Sequence, residues 1–84
     1  MYFFVTGHVT RPAEVGRYLE EEKRVLEELR EQGVVREAFS PAAGHGVIGI
    51  LAGPSLESVQ AQMARLPFVA YGLLTFEYTE VTPL

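Results

Sequence analysis

The stretch VGRYLEEEKRVLEELREQG, Val15 to Gly33, decides how the rest of the chain is read. Its apolar side chains fall at Val15, Tyr18, Leu19, Val25, Leu26 and Leu29, the spacing of one face of an amphipathic helix. The other face carries Arg17, Glu20, Glu21, Arg24, Glu28 and Glu31 and reads as solvated. Arg17 with Glu21, and Glu20 with Arg24, have the i,i+4 spacing of weak ion pairs. The spacing predicts a helix to about Gln32, with Gly33 ending it in the left-handed conformation. Glu22 sits in the apolar stripe, where the period asks for a hydrophobe. A carboxylate on a buried face must be paired, hydrogen-bonded or neutralised, because stranding it costs several kcal/mol.

Before this helix, Tyr2 to Val9 is rich in aromatic and β-branched residues and reads as a strand. Phe3, Val5, Gly7 and Val9 share one face, and Tyr2, Phe4, Thr6 and His8 the other. Both faces are mostly apolar, as in a covered central strand. Thr10-Arg11-Pro12 turns the chain, and Pro12 suits the first turn of a helix. After the helix, Val34 to Phe39 and Val47 to Ala52 read as strands of a hairpin across the turn at 40–46. Gly49 inside the third strand marks a close approach by a helix, a ligand or a partner backbone. Ser55 is a good N-cap for a second helix, whose stripe is Leu56, Val59, Met63 and Leu66 and which Pro67 stops. Phe68 to Gly72 reads as a connection, and Leu73 to Val81 as a fourth strand.

The order βαββαβ over residues 1–84 is read as one domain. The right-handed crossover rule makes it a ferredoxin-like α+β fold, a four-stranded antiparallel sheet with both helices on one face. The other face would then present Tyr2, Phe4, Thr6, His8, Ile48, Ile50, Thr75, Glu77 and Thr79. A face this apolar needs a cover, and a second copy of the chain would make a dimeric α+β barrel. Hydrophobic residues make up 48% of the chain, which also suggests apolar surface buried between subunits.

Composition narrows the function classes. The net charge is −4 and the seven basic residues are scattered, which argues against nucleic acid. No apolar run reaches membrane-spanning length. There is no cysteine, and the first residues carry no signal-peptide pattern, so a cytoplasmic protein is expected. Two distant histidines, with no Asp or Cys, make a poor metal-ligand set. Scarce thermolabile Asn and Cys fit a thermophile, and a GC-rich genome would also favour Arg over Lys, of which there is one.

Glu22-Lys23 followed by Val25, Leu26 and Leu29, then Gly33 and Arg36, resembles the muconolactone isomerase family. So does Gly-Pro-Ser-Leu-Glu-Ser-Val at 53–59, followed by Leu66-Pro67. The shared spacing spans roughly residues 15 to 80. The resemblance implies a dimeric α+β barrel, often in larger rings. It also implies an isomerase that moves a double bond in an unsaturated lactone by shifting a proton, with no metal or organic cofactor. The chain departs from the family on the open sheet face, where Phe4 and Thr6 replace basic residues and Leu73 and Thr75 replace acidic ones. The fold is expected to transfer more readily than the activity.

Each candidate residue has two readings. Glu22 is either a general base, its pKa raised by burial, or a structural carboxylate bonded to Arg36 or to backbone N–H groups. His8 is either the acid–base group of a barrel pocket or an inert interface histidine. His45 reads as a loop residue. Arg36 either binds a substrate carboxylate or pairs with a nearby Glu. Tyr71 is placed to line a rim, and Tyr2, Phe4, Ile48 and Ile50 to wall a pocket or fill a dimer core. Glu77 is a weaker pick. Three functions are carried forward: a cofactor-independent enzyme acting on a small unsaturated or lactone-like acid, with a cofactor-free oxygenase as a variant; a non-catalytic module for a small apolar or aromatic ligand; and an oligomerisation unit.

Overall fold

The computed structural model describes residues 1–42 and 46–84; His45 lies outside the described residues. The strands are β1 (Tyr2–Val9), β2 (Val35–Phe39), β3 (Val47–Ala52) and β4 (Leu74–Val81). They form one antiparallel sheet in the order β2-β3-β1-β4. A 3-10 helix (Pro12–Tyr18) leads into α1 (Leu19–Glu31), while α2 (Leu56–Met63) and a short α3 (Pro67–Ala70) connect β3 to β4. The fold is ferredoxin-like α+β, as the element order requires.

The alternation of β1 sets the two layers. Phe3, Val5 and Gly7 are buried under the helices, and Tyr2, Phe4, Thr6 and His8 lie on the other face. The core joins Phe3 and Val5 to Val25 and Leu29 of α1, Leu51 of β3, and Val59 and Met63 of α2. Three end signals act as their chemistry dictates. Gly33 has φ +78°, and Val34 N–H donates back to the Leu29 carbonyl, closing α1 with a left-handed residue. The Ser55 hydroxyl accepts from Ser58 N–H at 3.1 Å and starts α2. Glu20, Glu21 and Glu22 occupy the first turn of α1, where the helix dipole favours negative charge.

Several boundaries differ from the sequence reading, each for a local reason. Pro12 opens a 3-10 turn rather than an α-helix, because Arg11 supplies no side-chain cap and Gly16 is a poor helix former. Tyr18, at φ −116°, separates that turn from α1. Pro67 both ends a helical run and starts another. Leu66 before it is forced into an extended conformation at ψ 126°, and Pro67 then takes the first turn of α3. The strand expected from Leu73 begins at Leu74; Leu73 is buried and off the open face. A register shift between Val35 and Glu37 puts a β-bulge in β2. Gly49 is answered by its neighbour strand: a Cβ there would lie 2.9 Å from the Glu37 carbonyl oxygen.

The sheet face away from the helices is uncovered. Phe4 is 39% and Phe39 56% exposed, and Tyr2, Ile48 and Ile50 are half-buried beside them.

Candidate active site

α1 carries Glu22, Leu26 and Arg30 at steps of four, so they follow one another along one side of the helix, with Tyr18 one step earlier at its N-cap. Below Glu22 and Leu26 lies a cavity of about 60 Å³ between α1, the sheet and the end of α2. Val5 and Leu51 form its floor, and Met63 and Leu66 close it from the α2 side. Glu37 also borders it, but as a residue of β2 opposite Ile50 its side chain is exposed. Glu22 is the titratable side chain that faces this apolar space from the helix.

The Glu22 carboxylate has one fixed oxygen. Oε1 accepts from Phe68 N–H at 2.9 Å. Phe68 stands in the first turn of α3, where backbone N–H groups lack a helical partner, so Glu22 caps α3 from across the core. Among the described residues no cation forms an ion pair with Glu22. Burial of the carboxyl in apolar surroundings pushes its pKa above the ordinary 4.5, and the Phe68 N–H, which favours the charged form, pulls it partly back. A half-buried carboxylate of raised basicity, held by one oxygen, can accept a proton from a neighbouring carbon acid.

The remaining candidates are not brought to this cavity. His8 is exposed on the open sheet face, paired opposite Thr75 of β4. Phe4 and Ile48 share that face, pairing with Ile50 and Thr6 respectively. Arg36, at the bulge of β2, places its guanidinium 5.9 Å from the Tyr2 ring centroid and not on Glu22. Of the two structural partners expected for Glu22, the backbone N–H is the one found. Glu77 is exposed opposite Thr6. Tyr71 follows α3 and stacks on Tyr18 with ring centroids 4.7 Å apart, one helical turn from the Glu22–Phe68 bond. This cavity lies on the helix-covered face, whereas the pocket read from the sequence belongs to the open face between two copies of the chain. Leu26, Met63 and Leu66 were read as core, and their spacing alone carries no mark of the cavity that they wall.

The protein-family models and the curated proteins contain no match to this sequence. Solved structures do match. A crystal structure of muconolactone isomerase superposes with a TM-score of 0.80 at 20% identity, covering 100% of this chain and 91% of the other. The chain has the muconolactone isomerase fold. A second structure has a TM-score of 0.71 at 17% identity, covering 98% of this chain and 94% of that one. It is the 5-chloro-2-hydroxyhydroquinone dehydrochlorinase of Burkholderia phenoliruptrix in complex with 2,5-dihydroxybenzoquinone. The muconolactone isomerase likeness covers this whole chain, so the order of elements and the sheet are those of a shared fold. No helix among the described residues is long and apolar enough to cross a membrane.

Proposed function

We propose that this protein is a cofactor-independent enzyme that moves a proton on a small unsaturated or lactone-like acid, with Glu22 as the base. The observation that carries the reading is Glu22 in the apolar cavity beneath α1, with one oxygen bound to Phe68 N–H. The free oxygen takes a proton from a carbon next to the substrate carbonyl. The C–H electron pair moves into the ring as a dienolate, and Glu22 returns the proton at the far end of the conjugated system. The double bond has then shifted, and the base is restored. An isomerase of an unsaturated lactone and a dehydrochlorinase share a demand for such a proton transfer, and both have this fold.

The cavity must open to take a ring. Benzene occupies an apolar cavity of about 150 Å³, against about 60 Å³ here. Met63, an unbranched thioether, is the wall best able to give. The test is turnover of muconolactone with deuterium incorporation from heavy water, in wild type and Glu22→Gln. The variant keeps an oxygen for Phe68 N–H and loses the base. Its kcat should fall by roughly 10²- to 10⁴-fold; wild-type turnover in Glu22→Gln would remove Glu22 from the chemistry.

The Glu22–Phe68 bond also supports a second reading, in which the carboxylate is structural and the cavity binds a small apolar or aromatic ligand without converting it. Saturable thermal stabilisation by such a ligand, with no turnover, distinguishes the two. Either reading includes a second copy of the chain over the open sheet face, on the strength of exposed Phe4 and Phe39 and their apolar neighbours.

A further inference from the structure

Arginines in this chain are mostly occupied. Arg11 pairs with Glu14, Arg24 with Glu21 and Glu28, and Arg65 with Glu28. Arg17 lies over the Tyr18 ring and Arg36 over Tyr2. Among the described residues Arg30 has no ion pair, side-chain hydrogen bond or aromatic partner. It stands in the last turn of α1, two steps of four beyond Glu22. Arg30 lines a groove of about 220 Å³ with Leu26, Ala38, Phe39, Ser40 and Val47. Leu26, Ala38 and Val47 are also walls of the Glu22 cavity, so groove and cavity are neighbouring spaces along one side of α1. The groove on the opposite flank, which shares Leu74 and Phe76 with the cavity, has Gln60, Thr75 and Tyr78 as its polar residues and no cation.

We propose that Arg30 determines specificity, binding the carboxylate of the substrate in this groove while the acidic C–H of the same molecule faces Glu22. The inference rests on the cavity reading above and adds an orientation to it. A guanidinium fork suits a carboxylate, and the Ser40 hydroxyl supplies a further donor in the same groove. The eight steps from Glu22 to Arg30 span about 12 Å of helix axis. Two hydrogen-bond-length contacts take up about half of that, leaving roughly 6 Å between the substrate's anionic group and the carbon that loses its proton. A small ring bearing a short carboxylate arm has this span. A neutral ring of the same size would enter the cavity without using the groove.

The probes are muconolactone and its methyl ester, titrated against full-length wild type, Arg30→Ala, Arg30→Lys and Gln60→Ala. Affinity is read by calorimetry and the position of binding by backbone amide shifts. Arg30→Ala should weaken binding of the acid roughly 10- to 100-fold and leave the ester unchanged. Arg30→Lys should recover part of the loss, Gln60→Ala should bind the acid as wild type does, and the acid should shift the amides of Leu26, Ala38 and Val47. In turnover the loss should fall on KM rather than kcat. Arg30 placed only to meet the carbonyls at the end of α1 would affect acid and ester alike, and that result overturns the proposal. Acid binding equal in wild type and Arg30→Ala overturns it while leaving Glu22 as the base. If the acid fails to bind but 2,5-dihydroxybenzoquinone still shifts the cavity residues, the carboxylate site is wrong and the cavity stands. If neither probe binds, the cavity reading and the proposal fall together.

Discussion

Replacing Glu22 separates its hydrogen bond from its charge in one stability experiment. Glu22→Gln keeps an oxygen for Phe68 N–H, whereas Glu22→Ala removes it and uncaps α3. Loss of a side-chain cap costs about 1 kcal/mol, and in a domain of this length 1 kcal/mol moves the melting temperature by about 6 °C. Glu22→Ala should therefore melt about 6 °C below Glu22→Gln at every pH from 4 to 8, since neither variant ionises there. Wild type should behave differently. Burial raises the Glu22 pKa in the folded chain above its ordinary 4.5. Below that value the carboxyl is neutral in both states and its stabilising contribution is complete. As pH rises through the raised folded value, the folded chain must ionise a half-buried group and stability is lost. Wild type should thus lose ground against Glu22→Gln as pH rises above 4.5, all other carboxylates being common to both. Thermal melts by circular dichroism across that range measure the difference. Wild type gaining on Glu22→Gln as pH rises would mean that the Phe68 hydrogen bond outweighs burial, and would refute a carboxylate of raised basicity. Equal melting of the Ala and Gln variants would show that the cap carries no stability.

Met63→Ala should enlarge the cavity and cost about 2–4 kcal/mol, with benzene or another small aromatic restoring part of the melting temperature; no ligand-dependent rescue would show that the space has collapsed. Gly49→Ala should destabilise by about 1–3 kcal/mol, because its Cβ meets the Glu37 carbonyl oxygen, and urea unfolding measures this. Phe4→Glu puts a charge on the uncovered sheet face and should convert a dimer to a monomer in light scattering; an unchanged mass would place the subunit contact elsewhere.

The parts legible in the sequence were those fixed by neighbours in the chain. Gly33 and Ser55 act within one helical turn, and the alternation of Phe3, Val5 and Gly7 against Tyr2, Phe4 and Thr6 needs only the pleat of a strand. Glu22 was visible as an anomaly for the same reason. Its partner was not, because Phe68 lies 46 residues away and donates a backbone group that no side-chain pattern marks. The cavity was equally hidden. A stripe of apolar residues reads the same whether it closes completely or leaves a gap, since the gap depends on how α1 and α2 sit above Val5 and Leu51. The pocket read from the sequence lay instead on the open face, among Phe4, His8 and Ile48, where a second copy of the chain was expected to close it. The bulge that turns Arg36 toward Tyr2 belongs to strand register, which is a property of two strands together.

The Glu22–Phe68 bond bears on how such a fold changes its trade. One oxygen of the carboxylate is committed to architecture, and the other is uncommitted among the described residues. Any side chain of that reach ending in an acceptor would keep α3 in place. The position can therefore lose or regain a titratable group by a single codon step between Glu and Gln without a redesign of the core. The charge at this position is separable from the shape of the core, so a change of titratable group here need leave no trace in the backbone.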